Sequence, residues 1–274
     1  MTERTPSLSR RTALRTAAGT ALTAMAGCLS DSSNSGDGDS LASGGPLQRI
    51  AVEGTELIVE IAADAPLDQV LVVQPSGEQF GTREVLAEVQ QVSFDLGIAY
   101  DPGEYRVVGL KNGEESVEQS LTIEPNLVIR EVGLYRNHPN KPWHEVYGKS
   151  ETNRIINGEA FVTVENTGTG PNSVTELVFS GDVPNPVENP QNDGLYKTDQ
   201  VVVPPGETVD LFSYSFPFGS TSAEGMGCSV DGNQGQFTVN IETTVRNTSV
   251  TNNFDVEYEG ATEMHECEIT ITEA

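Results

Sequence analysis

One stretch of the sequence concentrates side chains that could recognise a charged partner. Residues 130–154 carry five basic residues against three acidic ones, in a chain with 15 basic and 41 acidic residues overall. The same stretch holds the single tryptophan and two of the three histidines of the sequence. A rigid aromatic side chain beside cations is typical of a recognition surface. The candidate recognition patch consists of Arg136, His138, Lys141, Trp143, His144 and Tyr147.

Two interpretations of this recognition patch stay open. In the first, Trp143 and Tyr147 are aromatic anchors, and Arg136 and Lys141 contact the anionic groups of a glycan or an acidic surface protein. In the second, Trp143 closes the end of a folded domain or a joint between two domains. Because tryptophan usually buries most of its area, the general behaviour of this residue favours the second interpretation.

No catalytic motif is recognisable in the sequence. It lacks the G-x-S-x-G, H-E-x-x-H and P-loop spacings. No pair of carboxylates stands out from the acidic background as the pair of a glycosidase would. We therefore expect no enzymatic activity, no catalytic residues and no cofactor.

The N-terminal residues are organised like an export signal. Arginines precede an uncharged stretch from Thr16 to Ala26, which is too short to span a bilayer and has the length of a signal-peptide core. The pair Arg10-Arg11 resembles a twin-arginine export motif, and Ala24-Met25-Ala26-Gly27-Cys28 resembles a lipobox. The resemblance implies that residues 1–27 are removed, that Cys28 carries a membrane lipid, and that the protein lies at the outer face of the cell membrane.

The composition describes the expected environment of the protein. The formal net charge is −26 and lysine is scarce, a pattern similar to that of secreted proteins of haloarchaea. Concentrated salt shortens the Debye length to about 3 Å and so screens the self-repulsion of such a chain. A calcium-loaded surface protein is the alternative, but no D-x-[DN]-x-[DN]-G loop supports it. Nucleic acid is excluded as an expected partner because no basic stripe is present to displace phosphate counterions.

Two cysteines remain if Cys28 carries lipid, namely Cys228 and Cys267. An even pair in an exported protein predicts one disulfide. The alternative is a copper site, since Met226, Cys228, His265 and Cys267 include the soft ligands that copper prefers. The cysteines come from two distant segments and no second histidine is close in sequence, so we favour the disulfide and predict no metal.

The first part of the mature chain predicts a flexible tether followed by a β-sandwich. Residues 28–46 are mostly Ser, Gly and Asp, which cannot bury enough apolar area to order themselves. From residue 47 to 125, short β-rich runs alternate with turn signals, and Asn112-Gly113 predicts a tight hairpin. Such strand spacing predicts an antiparallel sandwich. The hairpin preceded by Pro102-Gly103-Glu104-Tyr105 resembles the closing strands of small Ig-like domains.

The second part, residues 126–274, continues in the same style. Strands are predicted over Glu159–Glu165, Val174–Ser180, Thr208–Phe216, Gln236–Val245 and Met264–Ile271. A strand, then "VENTGTGPNSV", a strand, then "VVVPPGETVDL" resembles the CARDB-like domains, which are Ig-like sandwiches of surface and secreted proteins. The fold class is therefore expected to be all-β, with two tandem Ig-like antiparallel β-sandwich domains after a signal peptide and a disordered tether.

The function expected from the sequence is that of a cell-surface lipoprotein with a structural, adhesion or binding role. The alternatives are an extracellular carrier of copper or a small ligand and a carbohydrate-binding accessory module. Asn247-Thr248-Ser249 is a candidate N-glycosylation sequon on an expected exposed turn.

Overall fold

The computed structural model describes residues 41–42, 45–86, 88–142, 144–145, 148–149, 154–185, 194–214, 216–219 and 226–274. Arg10, Arg11 and Cys28, on which the predicted export signal depends, lie outside the described residues, as do Trp143 and Tyr147. All described residues belong to the unit formed by residues 36–274. No helix among them is long and apolar enough to cross a bilayer.

Eight strands form a first β-sandwich around one hydrophobic core. They are β1 Leu41–Ala42, β2 Leu47–Glu53, β3 Glu56–Ile61, β4 Gln69–Val73, β5 Gln79–Glu84, β6 Gln91–Asp95, β7 Gly103–Lys111 and β8 Glu114–Ile123. Two antiparallel sheets, in the orders β1-β2-β3-β6 and β5-β4-β7-β8, face each other. Alternation places Val70 and Val72 of β4 and Tyr105 and Val107 of β7 in the core, where all four are fully buried.

Two local features of this sandwich bear on the sequence predictions. The predicted hairpin is confirmed, because Lys111 pairs with Glu114 and both Asn112 and Gly113 have positive φ, as a type I′ turn requires. Leu41 and Ala42, which the sequence places in the tether, pair with Ile50 and Arg49 of β2.

Eight further strands form a second sandwich. They are β9 Leu127–Leu134, β10 Ala160–Asn166, β11 Asn172–Gly181, β12 Val201–Val203, β13 Thr208–Phe212, β14 Asn233–Thr243, β15 Ser249–Glu259 and β16 Glu268–Glu273. The sheet β13-β10-β9 covers the larger sheet β12-β11-β14-β15-β16. Phe179, Phe237 and Val239 from the larger sheet meet Val162 and Leu211 from the smaller one in the core. The predicted all-β class is confirmed, with antiparallel sheets throughout.

The strand predicted over Thr208–Phe216 in the second sandwich is shorter in the structure. The strand ends at Phe212, and Leu211 rather than Phe212 is the residue that enters the main core. Phe212 lies on the other face of the small sheet, where it packs with Tyr135 and Ile156. Phe212 and Tyr214, which alternate with other residues in the sequence, thus both pack on the outer side of this sheet.

Between the described strands lie, among other segments, a short helix and two 3-10 turns. The 3-10 turns are Tyr135–Asn137, directly after β9, and Val245–Asn247, separated from the end of β14 by one residue. The helix α1, Arg154–Gly158, precedes β10. The strand predicted over Met264–Ile271 begins only at Glu268, so the residues that precede it form a turn next to the Tyr135–Asn137 turn.

Three residues, 124–126, connect β8 to β9, and the loop after β10 is bonded along them. The Thr169 amide donates to the Glu124 carbonyl, and the Asn126 amide donates to the Asn166 side chain. The loop approaches so closely that a Cβ on Gly168 would lie 2.3 Å from the Glu124 carbonyl oxygen. The Tyr100 hydroxyl also donates to the Pro171 carbonyl at 3.0 Å. These hydrogen bonds join the loop after β10 of the second sandwich to the connecting residues 124–126 and to Tyr100 of the first sandwich.

Candidate ligand-binding pocket

The locally basic segment lines a pocket on the second sandwich. Arg136, Lys141, His144 and Lys149 surround a cavity of about 340 Å³ together with His265 from the turn before β16 and with Ile156 and Asn157 from α1. None of these described lining residues is acidic, although the chain carries 41 acidic residues. The basic pocket, as we call it below, has the volume of a small-molecule site.

Arg136 is fixed at the edge of the basic pocket by backbone carbonyls. Its guanidinium donates to the carbonyl oxygen of Met264 and, at 2.6 Å, to that of Cys267. Burial lowers the pKa of Arg136, although an arginine stays protonated at any physiological pH. The contact places the turn that carries His265 against the Tyr135–Asn137 turn.

A disulfide joins Cys228 to Cys267, as the sequence predicts, with 5.9 Å between the Cα atoms. The bond connects the loop before β14 to the first residue ahead of β16 and thereby holds the same turn that Arg136 holds. Because both sulfur atoms are consumed, neither is a thiolate that could bind copper in this state. The described residues contain no group of three metal-ligating side chains.

His144 and the lysines form the cationic wall of the basic pocket. The His144 amide donates to the Tyr135 hydroxyl at 3.3 Å, and the two rings meet edge to face. Desolvation lowers the pKa of His144, and the positive charges of Lys141 and Lys149 lower it further. The imidazole is therefore neutral at pH 7, with one donor and one acceptor nitrogen. Both lysines line the same pocket as this imidazole.

His138 belongs to the predicted recognition patch but has a structural position. It is buried between Phe161 and Phe212, with ring centroids 4.5 Å and 5.1 Å away. Its Nδ1 lies 2.7 Å from the Asn140 carbonyl oxygen and 3.0 Å from the Asn140 amide nitrogen, and its Nε2 lies 3.0 Å from Asp210 Oδ2. This histidine holds the outer aromatic layer of the small sheet and does not line the basic pocket.

Glu159, directly after α1, is a completely buried carboxyl group. Its Oε2 accepts from the Ser213 hydroxyl at 2.7 Å, whereas no described atom is within hydrogen-bonding distance of Oε1. Burial raises the pKa of Glu159 to about 9, and the Ser213 hydrogen bond offsets only part of that rise. The side chain is therefore a neutral carboxylic acid at physiological pH.

The structure thus brings together part of the predicted recognition patch. Arg136, Lys141 and His144 line the basic pocket, and His138 does not. Asn247 of the candidate sequon is exposed and has a φ of 49°, a conformation that asparagine tolerates better than most residues.

Sequence reasoning missed two contributors to the basic pocket, Lys149 and His265, and also the buried acid Glu159, which does not line the pocket. Lys149 was counted in the positive stretch but not in the patch, and His265 was considered only as a metal ligand. Glu159 gave no signal, since a glutamate before a strand usually faces water. The sequence offered one indication that His265 has a fixed position. It is two residues from Cys267, and the disulfide holds the turn that carries both.

No protein-family model and no curated protein matches this chain. Among solved structures, it is similar to a two-domain fibronectin type III segment of chicken tenascin, with a TM-score of 0.25, 13% identity, and 86% of this chain and 98% of that chain covered. The ligand-binding domain of human OSCAR gives a TM-score of 0.21 and 11% identity, with 82% and 92% covered.

A β-glucuronidase of glycoside hydrolase family 2 gives a TM-score of 0.24 and 12% identity, with 79% of this chain covered. The chain spans about a fifth of the length of that enzyme, 20%. At these identities the similarities concern the sandwich fold alone.

Proposed function

We propose that this chain is an exported lipoprotein whose lipid on Cys28 holds two β-sandwiches at the outer face of the cell membrane, where the second sandwich binds a ligand. The export proposal rests on Arg10-Arg11, the short apolar core and the lipobox-like residues before Cys28. The acidic composition supports a saline exterior as the working environment. A binding role without catalysis agrees with the absence of a catalytic motif from the sequence.

The observation that carries the binding role is the basic pocket. In a chain with a net charge of −26, an arginine, two lysines and two histidines line one cavity without a described acidic neighbour on its wall. Maintaining several like charges close together costs stability. Such an arrangement is expected where an anionic ligand compensates it. The same proposal includes two further points. Residues 126–274 are related to the CARDB-like domains, and the partner is a surface glycan or a surface protein.

Export and anchoring are tested by expressing the full chain in a halophilic host with twin-arginine export. We expect the wild type in the membrane fraction, accessible to protease on intact cells, with a modified Cys28 as its first residue. Cys28→Ser should lose the lipid, and Arg10→Lys with Arg11→Lys should leave unprocessed protein inside the cell. Mass spectrometry that finds an intact residue 1 or an unmodified Cys28 in the wild type would contradict the proposal.

A further inference from the structure

The basic pocket has fixed positive charge that no described lining residue neutralises. Arg136, Lys141 and Lys149 contribute three basic side chains to its lining. Glu145 and Glu266 are the described acidic residues next to lining residues in sequence, and Glu151 lies outside the described residues. Glu145 is exposed and does not line the cavity, and Glu266 lies 3.7 Å from His265 Nε2. At that distance Glu266 partly offsets the charge at one edge of the pocket, and no ion pair between described residues involves Arg136, Lys141 or Lys149. The pocket is therefore suited to an anion with two charges.

Arg136 is a preorganised donor for such an anion. A guanidinium has five N–H donors, and the carbonyls of Met264 and Cys267 take two of them. The same carbonyls hold the side chain in place, so little conformational entropy is lost when a further acceptor binds. Lys141 and Lys149 add mobile point charges that adapt to the position of the anion.

His144 distinguishes between classes of doubly charged anions. A neutral imidazole presents an acceptor nitrogen as well as a donor. Sulfate has acceptors only, so it leaves that nitrogen without a partner. Hydrogen phosphate keeps one hydroxyl in its doubly charged form, and that hydroxyl can donate to the imidazole. A phosphate monoester has a hydroxyl in the monoanion, which its second pKa of about 6 leaves in equilibrium with the dianion. A cavity of about 340 Å³ holds one such group with a small organic substituent.

We infer that the basic pocket is a phosphate site, which takes inorganic phosphate or the phosphate of a small monoester between Arg136, the two lysines and His144. This inference rests on the proposed binding role of the pocket and adds the class of ligand. Chloride is a weak competitor for such a site, because it has one charge and lacks the pair of oxygen acceptors that a guanidinium binds with two parallel hydrogen bonds.

The test is a titration of the full chain with inorganic phosphate, observed through the ring resonances of its three histidines. We expect saturable one-to-one binding that still occurs in 1 M KCl and that shifts the resonances of His144 and His265. His138 lies outside the pocket and is the internal control, so its resonances should not move. The pKa of His144 should rise when phosphate is bound. Absence of saturable binding, or equal shifts of all three histidines, would overturn the phosphate site.

Two matched lysine variants locate the binding. Lys141→Ala combined with Lys149→Ala should weaken phosphate binding at least tenfold. Lys111→Ala, which removes a lysine paired with Asp68 in the first sandwich, should leave binding unchanged. Equal effects of the two variants would show diffuse electrostatic attraction and overturn the assignment. Circular dichroism of each variant confirms that it has folded.

Two further probes define the ligand. Sulfate should bind at least tenfold more weakly than phosphate, and equal affinities would overturn the phosphate class while leaving an anion-binding function intact. Vesicles with phosphatidic acid in phosphatidylcholine distinguish a lipid phosphate from the free ion. Binding to those vesicles that excess inorganic phosphate displaces would assign the lipid headgroup as the source, whereas binding of phosphate alone would assign a free ligand. Neither result depends on lipid attachment at Cys28, so this test and the export test can fail separately.

Discussion

The guanidinium of Arg136 donates to the carbonyl oxygen of Cys267 at 2.6 Å, across 131 positions of the chain. The same cysteine is bonded covalently to Cys228. One turn, which also carries His265, is thus attached to the rest of the second sandwich by a charged hydrogen bond on one side and by a disulfide on the other. The geometry of the basic pocket depends on both attachments.

Arg136→Ala should lower the free energy of unfolding by about 2–4 kcal/mol, because hydrogen bonds to charged donors each contribute roughly 1.5–3 kcal/mol. Arg136→Lys should recover less than half of the loss, since an ammonium cannot reproduce the fork geometry. Chemical denaturation measures both. Arg106→Ala, which breaks an exposed pair with Glu118, is the control and should cost under about 1 kcal/mol. Similar losses at the two arginines would show that the Arg136 contacts contribute little.

Replacing both disulfide cysteines by serine should destabilise the fold by about 3–4 kcal/mol, because the bridge closes a loop across a sequence separation of 39. The His265 resonances should also lose their response to phosphate, since the turn is then free on one side. Thiol titration of the denatured, unreduced wild type provides the check. Two reactive thiols from these positions would show that the bridge does not form.

The stability of the protein should fall as the pH rises from about 5 to about 9. Glu159 is protonated in the folded state up to its raised pKa of about 9, whereas it ionises near 4.5 in the unfolded chain. The unfolded state therefore binds fewer protons in this window, and the slope reaches about 1.4 kcal/mol per pH unit from this group alone. Glu159→Gln should remove that slope in denaturation curves recorded across the window, and Glu114→Gln, an exposed control, should retain it. An unchanged slope in Glu159→Gln would assign the effect to other groups.

Val245→Ala should destabilise the first sandwich by roughly 2 kcal/mol, through two lost methyl groups and the cavity that they leave. Val245 follows β14 of the second sandwich but is buried in the core of the first. Val230→Ala removes an exposed valine and should change stability by less than about 0.5 kcal/mol. Thermal unfolding followed by calorimetry should show one transition in the wild type that broadens or splits in Val245→Ala. A sharp single transition at an unchanged temperature would indicate that Val245 does not couple the two cores.

Much of the fold is predictable from local pattern. The hairpin at Asn112-Gly113 and the buried face of β14 follow from turn chemistry and from alternation, which act over a few residues. The end of β13 is not predictable in this way, because Phe212 and Leu211 are both apolar and each could face a core. The small sheet has an aromatic layer on its outer face as well as a core beneath it, and alternation alone does not distinguish the two faces.

The basic pocket was only half predictable. Lys141 and His144 are close in sequence, so the positive charge of their segment is visible without a structure. His265 is more than 110 residues away in the sequence, and its approach depends on the pairing of β15 with β16 and on the disulfide. Glu159 was hidden for a different reason. Its buried carboxyl group contacts Ser213, 54 positions away in the chain, and no local pattern encodes that contact.

The burial of Val245 in the core of the first sandwich predicts how truncated forms of this protein behave. Separating the chain within residues 124–126 would leave a cavity in the core of the N-terminal fragment. It would also expose the side chain of Val245 to solvent in the C-terminal fragment. The Arg246–Glu124 ion pair next to it would be severed in the same operation. Fragments that begin or end at residues 124–126 should therefore aggregate or unfold at a lower temperature than the intact protein. The unit expected to fold independently is therefore the pair of sandwiches rather than either one.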